Sequence, residues 1–327
     1  HEVVDEIVAS KAPVIVDCVY EPGLAYRSDD TRDVMLGRPN PATPRILAEA
    51  GVQFAISSHS DSSAADLQFV AGHAVSQGLS AEEALRAITI APAEILGLED
   101  RIGSIEKGKD ADLVVLTGEP FDVESVVDTT LIDGKVVYSR PAVETGQGED
   151  EQLPVVAIKA GKIMSPGRGQ INDGLIIIEG KRIGYVGRSR DIPKDATVID
   201  ARKSVVIPGL IDIHSHLGLH AETEPVRVNP PSATSGSVRL VSIARAIVPG
   251  DEGFQEVLKT GVTSVLVAPE TSGFVSGNAA LIKLACESQD EMVVKEYAAV
   301  KFSMIGGSAR MTQIWQARDF LKRAKDY

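Results

Sequence analysis

A chain of 327 residues has room for about two domains. With 43% hydrophobic and 24% charged residues it cannot be a disordered or fibrous polymer, and at 4% aromatic content the core must be built from Val, Ile, Leu and Ala. A formal charge of −13 with no long basic run argues against nucleic-acid binding, and no apolar stretch reaches the roughly 18 residues of a membrane span.

In chain order, HEVVDEIVAS spaces Val and Ile along one helical face. APVIVDCVY (12–20) reads as a strand, PRILAEAG (44–51) as a helix closed by Gly51, and VQFAISSHSD (52–61) as a strand ending in polar groups. LSAEEALRAITIAPAEILGL (79–98) predicts one or two helices, with Ser80 as N-cap, Glu83 as its capping partner and Pro92 opening the second. Strands alternating with helices predict a parallel sheet of βα units.

The texture changes at 102–140, where short β-rich runs are broken by Gly and Asp, and 154–209 repeats it. A hairpin is expected around Glu179-Gly180, and LIDGKVVY (131–138) carries a similar turn. Both blocks predict a small β-sandwich, separated by the acidic linker PAVETGQGEDEQ (141–152). After Gly209 the pattern predicts a strand at 210–216, a helix at 249–261 and a strand at 262–270. A glycine-rich turn and a helix near 278–288 follow, then 293–307 and a final helix. Cys18 and Cys286 read as small buried hydrophobes rather than a disulfide.

The sharpest chemical feature is PGLIDIHSHLGLH (208–220). On a strand, alternate side chains share a face, so His214 and His216 present two imidazoles side by side. Such a pair can bind a divalent metal if further ligands converge, and by spacing alone it can equally be a polar strand terminus. His220 lies in the loop beyond. Asp61 stands where a strand ends, the place where α/β folds display their chemistry, and can be a metal ligand and base. Capping of the following helix is its simpler reading. His59 and Glu270 are minor candidates. GKDAD (108–112) reads as a structural turn, and TSGFVSGNAA (271–280) lacks the spacing and Lys of a phosphate loop.

VVIPGLIDIHSHLG resembles the first barrel strand of the amidohydrolase superfamily, in particular its imidazolonepropionase-like branch. GLSAEEALRAITIAPAEILGLEDRIGSIEKGKDADLVVLTGEPFD is similar to the stretch after that family's last barrel strand. The resemblance implies an α/β fold of (β/α)8 barrel segments with a composite β-sandwich built from both chain ends. It implies a metal-dependent hydrolase of non-peptide C–N bonds in a cyclic amide or acylated amine. His214 and His216 match the family's metal-binding pair. Asp61 matches its closing-strand Asp, ligand and base for the attacking water, in place of the helix cap. Zinc is the expected metal, with iron or manganese compatible.

The motif order is reversed relative to the family, and the central strands with their further His ligands have no counterpart. The expectation is therefore the end of one copy followed by the start of another in a larger tandem protein. Its parts are a C-terminal barrel part at 1–100, a closing β-segment at 101–140, a linker at 141–153, an opening β-segment at 154–207 and an N-terminal barrel part at 208–327. On that reading both chain ends cut through structure, and Asp61 and the His pair serve different sites. The expected partners are a small-molecule substrate and the missing barrel segments, with a homo-oligomer compatible. A soluble location is expected, cytoplasmic, or periplasmic or secreted if a signal peptide lies upstream. The alternative is a catalytically incomplete amidohydrolase-like scaffold or binding protein.

Overall fold

The computed structural model describes residues 4–17, 40–58, 64–140, 155–219, 242–269, 275–286, 288–302 and 310–325. Helix α1 (Val4–Ser10) leads into strand β1 (Val14–Val16), and helix α2 (Thr43–Glu49) into strand β2 (Phe54–Ile56). The two strands pair in parallel with Ile15 opposite Ala55. A 3-10 turn at Ala64–Asp66 precedes α3 (Leu67–Ser76), α4 (Ala81–Ala87) and α5 (Ile90–Ile95). Ser80 caps α4 as the sequence predicts, its Oγ accepting from the Glu83 amide at 3.1 Å.

Strands β3 (Leu113–Leu116), β4 (Val127–Ile132) and β5 (Lys135–Ser139) form a meander. Later in the chain come β6 (Val156–Ser165), β7 (Gly169–Glu179), β8 (Arg182–Gly187) and β9 (Thr197–Pro208). All seven join one mixed sheet in the order β5-β4-β3-β9-β6-β7-β8. The seam between the two blocks is the antiparallel pair β3–β9, with Val114 opposite Ile207. The β4–β5 turn puts Asp133 at φ 49° and Gly134 at φ 76°, the two positive values a tight two-residue hairpin requires. The expected turn at Glu179-Gly180 joins β7 to β8.

The second α/β stretch begins with β10 (Leu210–Ser215) and continues through α6 (Glu252–Leu258) to β11 (Val262–Val267), parallel to β10. Gly209 starts β10 so close to β11 that a Cβ there would collide with the Thr263 side chain. The helix expected near 278–288 does not form. Val275–Lys283 is instead strand β12, antiparallel to β11 and buried along its whole length. A strand covered on both faces shows no alternation, so SGNAALIK carries no period to separate it from a buried helix. After α7 (Gln289–Met292), β13 (Val293–Phe302) adds antiparallel to β12, and α8 (Arg310–Lys325) follows. Among the described residues these strands make an α/β array consistent with a barrel that is not closed.

The halves share one core. Ile56, Leu67, Val70 and Leu85 from the first pack in the same cluster as Phe254, Val257, Leu258, Val262 and Val265 from the second. The Thr130 hydroxyl in β4 donates to the Leu258 carbonyl at 2.9 Å, satisfying an acceptor at the end of α6. Cys286 is a partly buried free thiol against this cluster, and burial pushes its pKa up; Cys18 lies outside the described residues. No helix among the described residues is long and apolar enough to cross a membrane.

Candidate functional site

Strand β10 carries the site because its alternation puts Asp212, His214 and His216 on one face, while Ile211 and Ile213 point into apolar packing. The His214 and His216 rings meet edge to face with centroids 5.6 Å apart. His216 Nδ1 lies 2.7 Å from the Ala268 carbonyl just beyond β11. A carbonyl only accepts, so Nδ1 carries the proton, and in the neutral ring the lone pair falls on Nε2. His214 Nδ1 lies 3.4 Å from Asp17 Oδ2, just beyond β1, and the other oxygen of Asp17 accepts from Ser57 Oγ at 2.9 Å.

Asp212 is the buried member. Its carboxylate accepts from Ser58 Oγ at 2.5 Å and from the backbone amides of Ser58 and His214, each at 3.3 Å. Burial pushes its pKa up to about 6; the Ser58 hydroxyl, the two amides and the neighbouring His214 offset part of that rise. The parallel pair β1–β2 thus meets the parallel pair β10–β11 at this place, and residues far apart in sequence face one another there.

Of the residues predicted from sequence, His214 and His216 stand side by side. Asp61, His59, His220 and Glu270 lie outside the described residues. Sequence reasoning missed Asp17, Ser57, Ser58 and Asp212 as members of this group. The signal for Asp212 was the same period of two that paired the histidines; for Asp17 it was a carboxylate at a strand end. Two neutral imidazoles suit a divalent metal such as zinc. No group of three or more His, Cys, Asp or Glu among the described residues could hold a metal ion, so the donors present fit such a metal only in part.

Comparison with known proteins finds similar sequences. The model of the amidohydrolase family (Amidohydro_3) matches residues 45–138. An imidazolonepropionase of Thermoplasma acidophilum is 46% identical over 68 residues, covering 19% of this chain and 17% of that protein. The amidohydrolase tasK of Hapsidospora irregularis is 26% identical over 225 residues, covering 60% of this chain and 23% of that protein. A crystal structure of an amidohydrolase from Thermotoga maritima aligns at 38% identity with a TM-score of 0.36, over 42% of this chain and 35% of that one. The chain thus spans well under half the length of these relatives. What the comparisons show is similarity to amidohydrolases, with the family match confined to residues 45–138.

Proposed function

We propose that this chain is an amidohydrolase-like binding scaffold that holds part of a metal centre and is catalytically incomplete by itself. The observation that carries the reading is the His214–His216 pair, oriented at the end of β10 but joined by no third ligand among the described residues. With no third ligand among the described residues, two imidazoles bind a divalent ion weakly, because a tetrahedral site wants four donors. A metal seated there would supply Lewis-acid polarisation to a ligand carbonyl. The chain's own part is to present the imidazoles and exclude water behind them.

The test is metal content and turnover of the full chain after loading with zinc, iron or manganese. Substoichiometric metal, lost in both His214→Ala and His216→Ala, with C–N hydrolysis at the blank rate is the expected result. Stoichiometric metal that survives dialysis, with turnover of a cyclic amide or acylated amine above blank, overturns it.

A second reading is favoured by the similarity to amidohydrolase tasK. That match covers 60% of this chain but only 23% of the relative, a much longer protein. On this reading the chain is part of a larger tandem metal-dependent hydrolase, zinc being the first choice of metal. Residues 1–100 and 101–140 close one copy, and 154–207 and 208–327 open the next. Asp61 serves as metal ligand and base, and His214 and His216 as metal ligands. The reading frame on both flanks tests it: barrel strands ending in further histidines support it, and unrelated sequence removes it.

A further inference from the structure

We propose that Asp17 is the positioning residue for His214, so that one half of the chain fixes the ring orientation of a ligand candidate carried by the other. The inference rests on the reading of His214 and His216 as a metal-binding pair and goes beyond it to the group that aims the first ring. Each imidazole meets an acceptor at Nδ1, but the acceptors come from opposite sides of β10. His216 is held by the Ala268 carbonyl beyond β11, at 2.7 Å. His214 faces the Asp17 carboxylate beyond β1, at 3.4 Å.

The carboxylate is itself fixed. Ser57 Oγ donates to Asp17 Oδ1 at 2.9 Å, which turns Oδ2 toward the ring. The parallel ladder sets that hydroxyl in place, since the Ser57 amide donates to the Val16 carbonyl at 3.1 Å. The chain of constraint therefore runs from the β1–β2 pairing through Ser57 and Asp17 to His214 Nδ1. An imidazole with Nδ1–H on an acceptor has its lone pair on Nε2, so both rings are set to the same tautomer and offer like nitrogens.

The experiment uses the full chain with 15N-labelled histidine. Nitrogen shifts report the tautomer of His214 in metal-free protein, and Zn2+ competition against a chromophoric chelator reports affinity. In Asp17→Ala the Nε2–H form of His214 should rise while His216 keeps its wild-type shifts, and Zn2+ should bind roughly 10- to 100-fold more weakly. Asp17→Asn, which keeps an acceptor oxygen, should retain the wild-type tautomer. An unchanged His214 tautomer in a folded Asp17→Ala overturns the assignment, as does an equal shift at His216. If the tautomer moves as expected but wild type takes up no Zn2+, the positioning role stands and the metal reading falls.

Discussion

The Ser58 hydroxyl donates a 2.5 Å hydrogen bond to the buried Asp212 carboxylate across 154 positions of sequence. This bond stitches the end of β2 to the middle of β10, the strand that presents both histidines. A carboxylate with no exposed surface needs every available donor, and it receives three here. They do not fully replace water, which is why burial still lifts its pKa to about 6.

That lift makes stability depend on pH in a defined window. An unfolded Asp titrates near 3.9, and the folded one near 6, so between these values the native state binds more protons than the unfolded state. Stability of the metal-free chain is then expected to fall as pH rises from about 4 to 6, by up to about 3 kcal/mol from this group. Asp212→Asn keeps an acceptor for Ser58 and removes the charge. Urea midpoints at pH 4, 5, 6 and 7 should lose that downward slope in the variant. An identical slope in both proteins would clear Asp212 of the effect.

Phe254 is 1% exposed, on a helix that packs against residues 64–66 of the first half and against β5 and β11. Its removal opens a cavity in a core that both halves line. Phe254→Ala is expected to cost about 3–5 kcal/mol and to lower one common unfolding transition. The check is equilibrium urea unfolding followed at two wavelengths and by hydrogen exchange in each half. Two separate transitions in wild type, only one of them moved by the substitution, would refute the shared core.

Local structure was legible in the sequence wherever a short-range rule applied. The Ser80 cap, the Asp133-Gly134 and Glu179-Gly180 turns and the strand at 210–215 follow from residues within a few positions of one another. What failed was β12, whose double-sided burial erases the alternation that marks a strand. The histidine pair was visible for the same reason that Asp212 should have been, a strand's period of two. Asp17 and Ser57 could not be tied to His214 from spacing, because that contact depends on which strands become neighbours. That choice is made by the shared core and the β3–β9 seam, both long-range.

Gly209 tests how tightly the histidine strand must approach its neighbour. A methyl group there would overlap the Thr263 side chain, and the Thr263 hydroxyl lies 3.4 Å from the Leu210 carbonyl. Gly209→Ala should push β10 and β11 apart at their start and cost about 1–3 kcal/mol, the range for overpacking a tight site. Thr263→Ser removes the methyl that contributes to the overlap and should recover part of that loss in the double variant. Additive effects of the two changes in thermal melts would mean that the side chain does not set the spacing.

Lys283 settles how the two sheets are joined. Its side chain is 3% exposed and its ammonium contacts Asp110 at 2.9 Å, Asp112 at 3.0 Å and Asp133, all from the β3–β5 block. Burial alone would lower its pKa, but the three carboxylates outweigh that and hold it charged. Arg182 and Arg101 complete the cluster from its rim, each pairing with Asp110. The GKDAD turn thus has a structural role, since it brings two carboxylates to the end of β12. Lys283→Met leaves three acids facing one another without their central cation and should cost about 3–5 kcal/mol. Adding Asp112→Asn and Asp133→Asn to it should return part of the loss, because the repulsion is removed along with the attraction. Chemical denaturation of wild type, the single variant and the combined variants decides the matter. A Lys283→Met variant within about 0.5 kcal/mol of wild type, the range of an ordinary surface change, would show that the sheets are held by their apolar contacts alone.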